Sequence, residues 1–123
     1  MSEIVIAAVA PLIAKTAHQA NRAYQEIIGE VASPCWEDLV DELKDMAVRG
    51  VKEIIANPKI KASELHESWL QAKLAAGWRY GPEKSIEHKT HPCMVIFEQL
   101  PESQKTKDRL FLAVVKTLAK ELV

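Results

Sequence analysis

Apolar residues recur along this chain at helical spacing in four stretches, and punctuation residues separate them. Residues 11–28 carry Ile13, Ala17, Ala20, Tyr24, Ile27 and Ile28, and Gly29 ends the pattern. Residues 4–10 read either as an earlier turn of that helix or as a short strand, since Ile4, Val5 and Ile6 are β-branched. Ser33-Pro34 predicts the next helix start, a capping hydroxyl followed by a proline whose missing N–H costs nothing at the first position. The stripe that follows is the strongest in the chain: Trp36, Leu39, Val40, Leu43, Met46, Ala47, Val51, Ile54 and Ile55, up to the Asn57-Pro58 stop. Gly50 lies beside it at a cost of about 1 kcal/mol relative to Ala, which a close helix crossing would justify.

Ser63 is the expected N-cap of a third helix, with Leu65, Trp69, Ala72 and Ala76 on one line, Leu70 and Leu74 widening it, and Gly77 at its end. Gly81-Pro82 turns the chain into a polar loop over residues 83–90. The short β-branched run at residues 94–97 predicts a brief strand, with Trp78 to Tyr80 as its candidate partner. A last helix opens at Pro101-Glu102 and carries Leu110, Phe111, Val114, Val115, Leu118 and Leu122. The expected fold is mainly α: about four helices around one core, with a short two-stranded extended patch inserted before the last.

With 123 residues the chain is one domain, 1–123, large enough to bury a core without disulfide or metal. A formal net charge of -1 provides no field for DNA, RNA or an anionic membrane, so a phosphate-bearing partner needs local cations. No apolar run approaches the length of a membrane span. The apolar start lacks a basic n-region and runs on into helix pattern, which is unlike a signal peptide. Cys35 and Cys93 have no framework spacing, and the simpler expectation is a reduced, cytoplasmic protein.

Composition departs from ordinary core-and-surface alternation at Gly77-Trp78-Arg79-Tyr80-Gly81-Pro82. Run extended, these residues point Trp78 and Tyr80 to one side and Arg79 to the other. Two such positions lie about 6.6–6.8 Å apart, close to the gap a flat heteroaromatic ring needs between stacked partners. The alternative is that both rings cap the open end of a helical core.

Trp69, Lys73, the Gly77–Pro82 stretch, Lys89, His91-Pro92-Cys93-Met94-Val95, Phe97 and Leu100-Pro101-Glu102, taken in this order, resemble the RyR domain, the repeat of ryanodine receptor calcium channels that also has single-copy relatives in bacteria and phages. The similarity runs from Ser63 to about Leu118, with residues 1–62 resembling a helical lead-in. The resemblance implies a compact, mainly helical module that recognises a small nucleotide-derived ligand. In the channels such modules are associated with holding an adenine nucleotide between aromatic rings, a role that would fall here on Trp69 and Trp78 with Tyr80 nearby. A free-standing binder is then expected, for sensing or, in a phage, for sequestering a host signalling nucleotide.

On that expectation Trp69, Trp78 and Tyr80 stack, Arg79, Lys73, Lys84 and Lys89 hold phosphate, and His91 meets the ligand edge. Each has an ordinary alternative: Trp69 as core, Lys73 as a stem laid over that ring, Lys84 and Lys89 as solvated loop residues. His88, His91, Cys93 and a distant His66 match no standard zinc spacing, and no metal or cofactor is expected. Glu64, His66 and Glu67 cluster at a helix start without a nucleophile motif, so no catalytic residue is expected. A protein–protein interaction or structural module whose aromatic patch docks a partner is the alternative. Lys116 and Lys120 share the polar side of the last helix, whose apolar stripe serves the core or a second subunit; a homodimer is expected.

Overall fold

The structure is a computed structural model that describes residues 2–122. Four helices carry the fold: α1 (Glu3–Ile27), α2 (Asp41–Ala56), α3 (Ala62–Ala75) and α4 (Glu102–Leu122). Between α3 and α4 lie two short strands, β1 (Arg79–Tyr80) and β2 (Thr90–His91). Residues 4–10 resolve as helix. The Ser2 hydroxyl caps α1 by accepting the Ile4 amide, and Pro11 sits inside the helix rather than at its start. Pro11 and Ala7 are both exposed, so the Ala7 carbonyl that loses its helical partner faces water.

The main core is built on small residues of α1. Ala10, Ala14 and Ala17 flank Ile13, all fully buried, and let α1 approach α4 and α2 closely. Val51 and Ile54 of α2, Ile60 of the following turn and Val115 of α4 complete it. Gly50 marks the expected close crossing: a Cβ there would meet the Phe111 ring of α4 at 3.4 Å.

Three local expectations are corrected. No helix starts at Ser33-Pro34. Residues 33–40 hold one 3-10 turn, Trp36–Asp38, and α2 begins at Asp41. Side chains of α1 claim this segment's backbone. Ser33 N–H donates to Gln25 Oε1, Trp36 N–H to Gln19 Oε1, Arg22 Nε to the Ser33 carbonyl, and the His18 ring to the Pro34 carbonyl. A segment so satisfied has no need of helical hydrogen bonds. The third helix is capped one residue before Ser63's neighbour: Lys61 is the N-cap, and Glu64 Oε1 accepts the Lys61 amide at 2.9 Å. Lysine has no acceptor, so only this half of a capping box exists.

The extended patch is present, but its second strand is β2 and not residues 94–97. Arg79 lies opposite Thr90 and Tyr80 opposite His91, in parallel. The Met94 amide bonds back to the His91 carbonyl, which closes a turn at Pro92-Cys93 and takes the apolar run out of the strand direction. Gly81 is required by close approach, since a Cβ would sit 2.6 Å from Thr90 Cβ.

Gly77 joins α3 to the strand pair. Its φ is 88°, Gly77 N–H bonds the Leu74 carbonyl and Trp78 N–H bonds the Lys73 carbonyl, the Schellman arrangement at the end of α3. Gly77→Ala forces a Cβ into left-handed backbone and is expected to cost about 1–2 kcal/mol in urea unfolding. An unchanged midpoint would show that this turn does not fix the strand pair.

Candidate functional site

The Schellman turn sends Trp78 inward. Its ring is 2% exposed and joins Leu70 and Met94 in a second small core. The indole N–H donates to Glu42 on α2 at 3.2 Å, and the Lys73 ammonium lies over the ring, 3.9 Å from its centroid. Lys73 is itself buried, and its Nζ has no hydrogen-bond partner among the described residues. The ring face stands in for one, a cation–π contact strengthened by the absence of water. Burial holds the Lys73 ammonium below its ordinary range, with Glu42 opposing.

Trp78 and Tyr80 therefore do not form a pair of open rings. Trp78 precedes the strand and is core, while Tyr80 is 57% exposed. Lys89 is also committed: in left-handed backbone with φ 54°, it sends Nζ to the Ala76 carbonyl at 2.9 Å, capping the C-terminal end of α3. Arg79 stands on the exposed strand beside Tyr80.

A separate cleft of about 480 Å³ opens among the four helices and the segment after β2. It brings together three of the residues expected to hold the ligand, Trp69, Lys84 and His91, with His66 and Cys93 from the metal reading. Trp69 stacks on His66, with centroids 5.4 Å apart and planes 26° apart, and its ring meets His91 edge-on at 5.2 Å. The Cys93 amide donates to His91 Nδ1 at 3.0 Å, so in the neutral ring the hydrogen sits on Nε2. Burial, helped by the ammonium groups of Lys84 and Lys73, pushes the His91 pKa down to about 4, and the ring is neutral at pH 7. Burial and Asp108 push the Cys93 thiol up to about 11, which leaves it an unreactive thiol.

Lys73, Trp78, Arg79, Tyr80 and Lys89 do not line this cleft; His66, Asn21, Lys107 and Asp108 do. Lys107 pairs with Glu30 at 2.9 Å. Lys84 has no such carboxylate among the described residues; it is exposed where it lines the cleft, yet partial desolvation there holds its ammonium below the usual range. Asp108 accepts Gln104 Nε2 through Oδ1, while Oδ2 and Asn21 Oδ1 are buried without a hydrogen-bond partner among the described residues. Burial pushes the Asp108 carboxyl up, and the Gln104 bond partly offsets this. A signal for these residues exists in the sequence. Asn21 falls on the line of Ala17 and Tyr24, His66 on that of Trp69 and Leu70, and Asp108 on that of Phe111 and Val115. Each is a polar residue at a position the helical period assigns to the core.

Trp78→Ala is expected to lower stability by about 3–5 kcal/mol, as aromatic-to-alanine changes in cores do. Denaturant unfolding that left the midpoint in place would remove Trp78 from the core. His91 carries a pH signature: its unfolded value is 6.5 and its folded value about 4. Below pH 6.5 the unfolded chain takes up a proton that the folded chain refuses, so stability present above 6.5 is lost as pH falls toward 4. The wild type should lose more stability than His91→Gln between pH 7 and 4.5, and the His91 ring resonance should stay flat in NMR down to pH 5.5.

The RyR domain family model matches residues 41–120, from the first residue of α2 into the end of α4. The match takes in α2, which the motifs beginning at Ser63 do not reach, and leaves α1 outside although α1 supplies half of the main core. With the inward Trp78 turn, the β1–β2 pair and the His91-Pro92-Cys93 corner all inside the matched span, the chain belongs to the RyR domain family.

Proposed function

We propose that the protein binds a nucleotide-derived small molecule in the four-helix cleft and releases it unaltered, for sensing or sequestration inside a reducing compartment. The observation that carries this reading is the cleft itself. Its volume, about 480 Å³, falls within the range of small-molecule sites, and its wall combines a half-buried Trp69 with a few polar groups lacking partners. Trp69 supplies an aromatic surface for a base. Lys84 supplies a cation for phosphate, and the neutral His91 supplies a hydrogen-bonding edge.

The test is a thermal-shift and calorimetry panel of mono-, di- and cyclic nucleotides and ADP-ribose derivatives. A ligand at 100 times its dissociation constant should stabilise the chain by about 2.7 kcal/mol. Lys84→Ala, an exposed loop change, should weaken a phosphate-bearing ligand about 10-fold or more, the loss of a charge-assisted hydrogen bond. A flat response across the panel would sink the reading. A docking module is a second reading, favoured by the exposed Tyr80 beside Arg79 on β1, outside the cleft. Under it Tyr80→Ala weakens a partner complex and leaves every nucleotide titration unchanged.

A further inference from the structure

The polar groups of the cleft are not balanced between donors and acceptors. His66 Nε2 lies 2.7 Å from the Val95 carbonyl, which only accepts, so Nε2 carries a hydrogen. In the neutral ring Nδ1 then holds a lone pair. It faces Asp108 Oδ2 across 3.8 Å, too far for a direct hydrogen bond. Asp108 Oδ1 is already taken by Gln104. A third acceptor, Asn21 Oδ1, stands unpartnered on the same wall, held there because Asn21 Nδ2 donates to the Lys107 carbonyl, one residue before Asp108. Three acceptors thus line one cleft, and none of them meets a hydrogen-bond donor among the described residues.

Resting on the reading of the cleft as a nucleotide site, we propose that His66 Nδ1 and Asp108 Oδ2 form a two-acceptor clamp that selects ligands presenting a primary amino group. An amino group carries two diverging hydrogens and satisfies both acceptors from one atom. A hydroxyl has one hydrogen, and a carbonyl oxygen in that place would bring a third set of lone pairs against the other two. Oδ2 is covered in the unliganded chain, yet the Asp108 side chain keeps 21% of its surface exposed. The His66 ring is held for this role from two sides, by the Val95 carbonyl and by the stack on Trp69.

Two matched pairs test the clamp by calorimetry on the full chain: adenosine against inosine monophosphate, and cytidine against uridine monophosphate. Each pair exchanges one exocyclic amino group for an oxo group, with a hydrogen added to the neighbouring ring nitrogen, and leaves sugar and phosphate alone. The amino member of at least one pair should bind at least about tenfold more tightly, the effect of one buried hydrogen-bonding mismatch. Asp108→Asn supplies the second arm. Gln104 Nε2 continues to face the side-chain oxygen, which turns the new amide N–H₂ toward the former Oδ2 position. The preference should then vanish or invert toward the oxo ligand, in a variant whose unfolding midpoint reports that the fold is intact. Equal binding of both members by the wild type overturns the clamp and leaves nucleotide binding standing. An amino preference that survives Asp108→Asn overturns the assignment to Asp108. Silence from all four nucleotides overturns the clamp, while the wider panel of cyclic nucleotides and ADP-ribose derivatives decides the nucleotide reading.

Discussion

One left-handed residue, Gly77, sets the geometry on which the second half of the molecule depends. Because φ there is positive, α3 stops and the next amide bonds backward to the Lys73 carbonyl. That bond rotates Trp78 into the protein against the stem of Lys73, the contact between the residue after the turn and the residue in the last helical turn that accompanies such caps. The buried ammonium then has a ring face where a hydrogen-bond acceptor would otherwise be needed, and the indole N–H has Glu42. A single turn thereby ties α3 to α2 and delivers Arg79 and Tyr80 to pair with Thr90 and His91.

The strand pair is too short to stabilise anything alone, and its consequence is positional. Arg79 N–H bonds the Lys89 carbonyl and Gly81 N–H the His91 carbonyl, which fixes where β2 ends. From there Pro92-Cys93 turns, the Cys93 amide locks the His91 ring, and the ring edge comes to rest against Trp69. The cleft wall is therefore assembled by a chain of backbone constraints that begins at the end of α3. Its other walls come from α1, α2 and α4, so the cleft exists only when all four helices are packed. α1, outside the family match, contributes Asn21 to this wall and the alanine stripe to the core.

The motif residues divide into two physical roles. Trp78, Lys73, Lys89, Gly77 and Gly81 build the turn, the cap and the strand contact. Trp69 and His91 face the cleft, where Lys84 joins them from the polar loop. An aromatic next to basic residues looks alike in sequence whether the rings stack on a ligand or on a lysine of the same chain. The deciding quantity is water exposure, and a period or a motif carries no information on it.

The four helices, the Gly77 stop, the close crossing at Gly50 and the presence of an extended patch before the last helix were all determined by the sequence alone, because they follow from helical period, backbone freedom at glycine and proline geometry. The RyR resemblance was legible for the same reason, since its motifs are local. Tertiary structure decided the rest. Gln19, Gln25, Arg22 and His18 of α1 hold residues 33–36 out of a helix from eight to seventeen residues upstream, contacts that helical period and capping signals at Ser33-Pro34 do not encode. Thr90–His91 took the place of residues 94–97 beside β1 because a parallel register is a choice between distant segments. Asn21, His66 and Asp108 line one cleft only because three helices from separate parts of the chain bring them there, and burial at that place pushes the Asp108 carboxyl up.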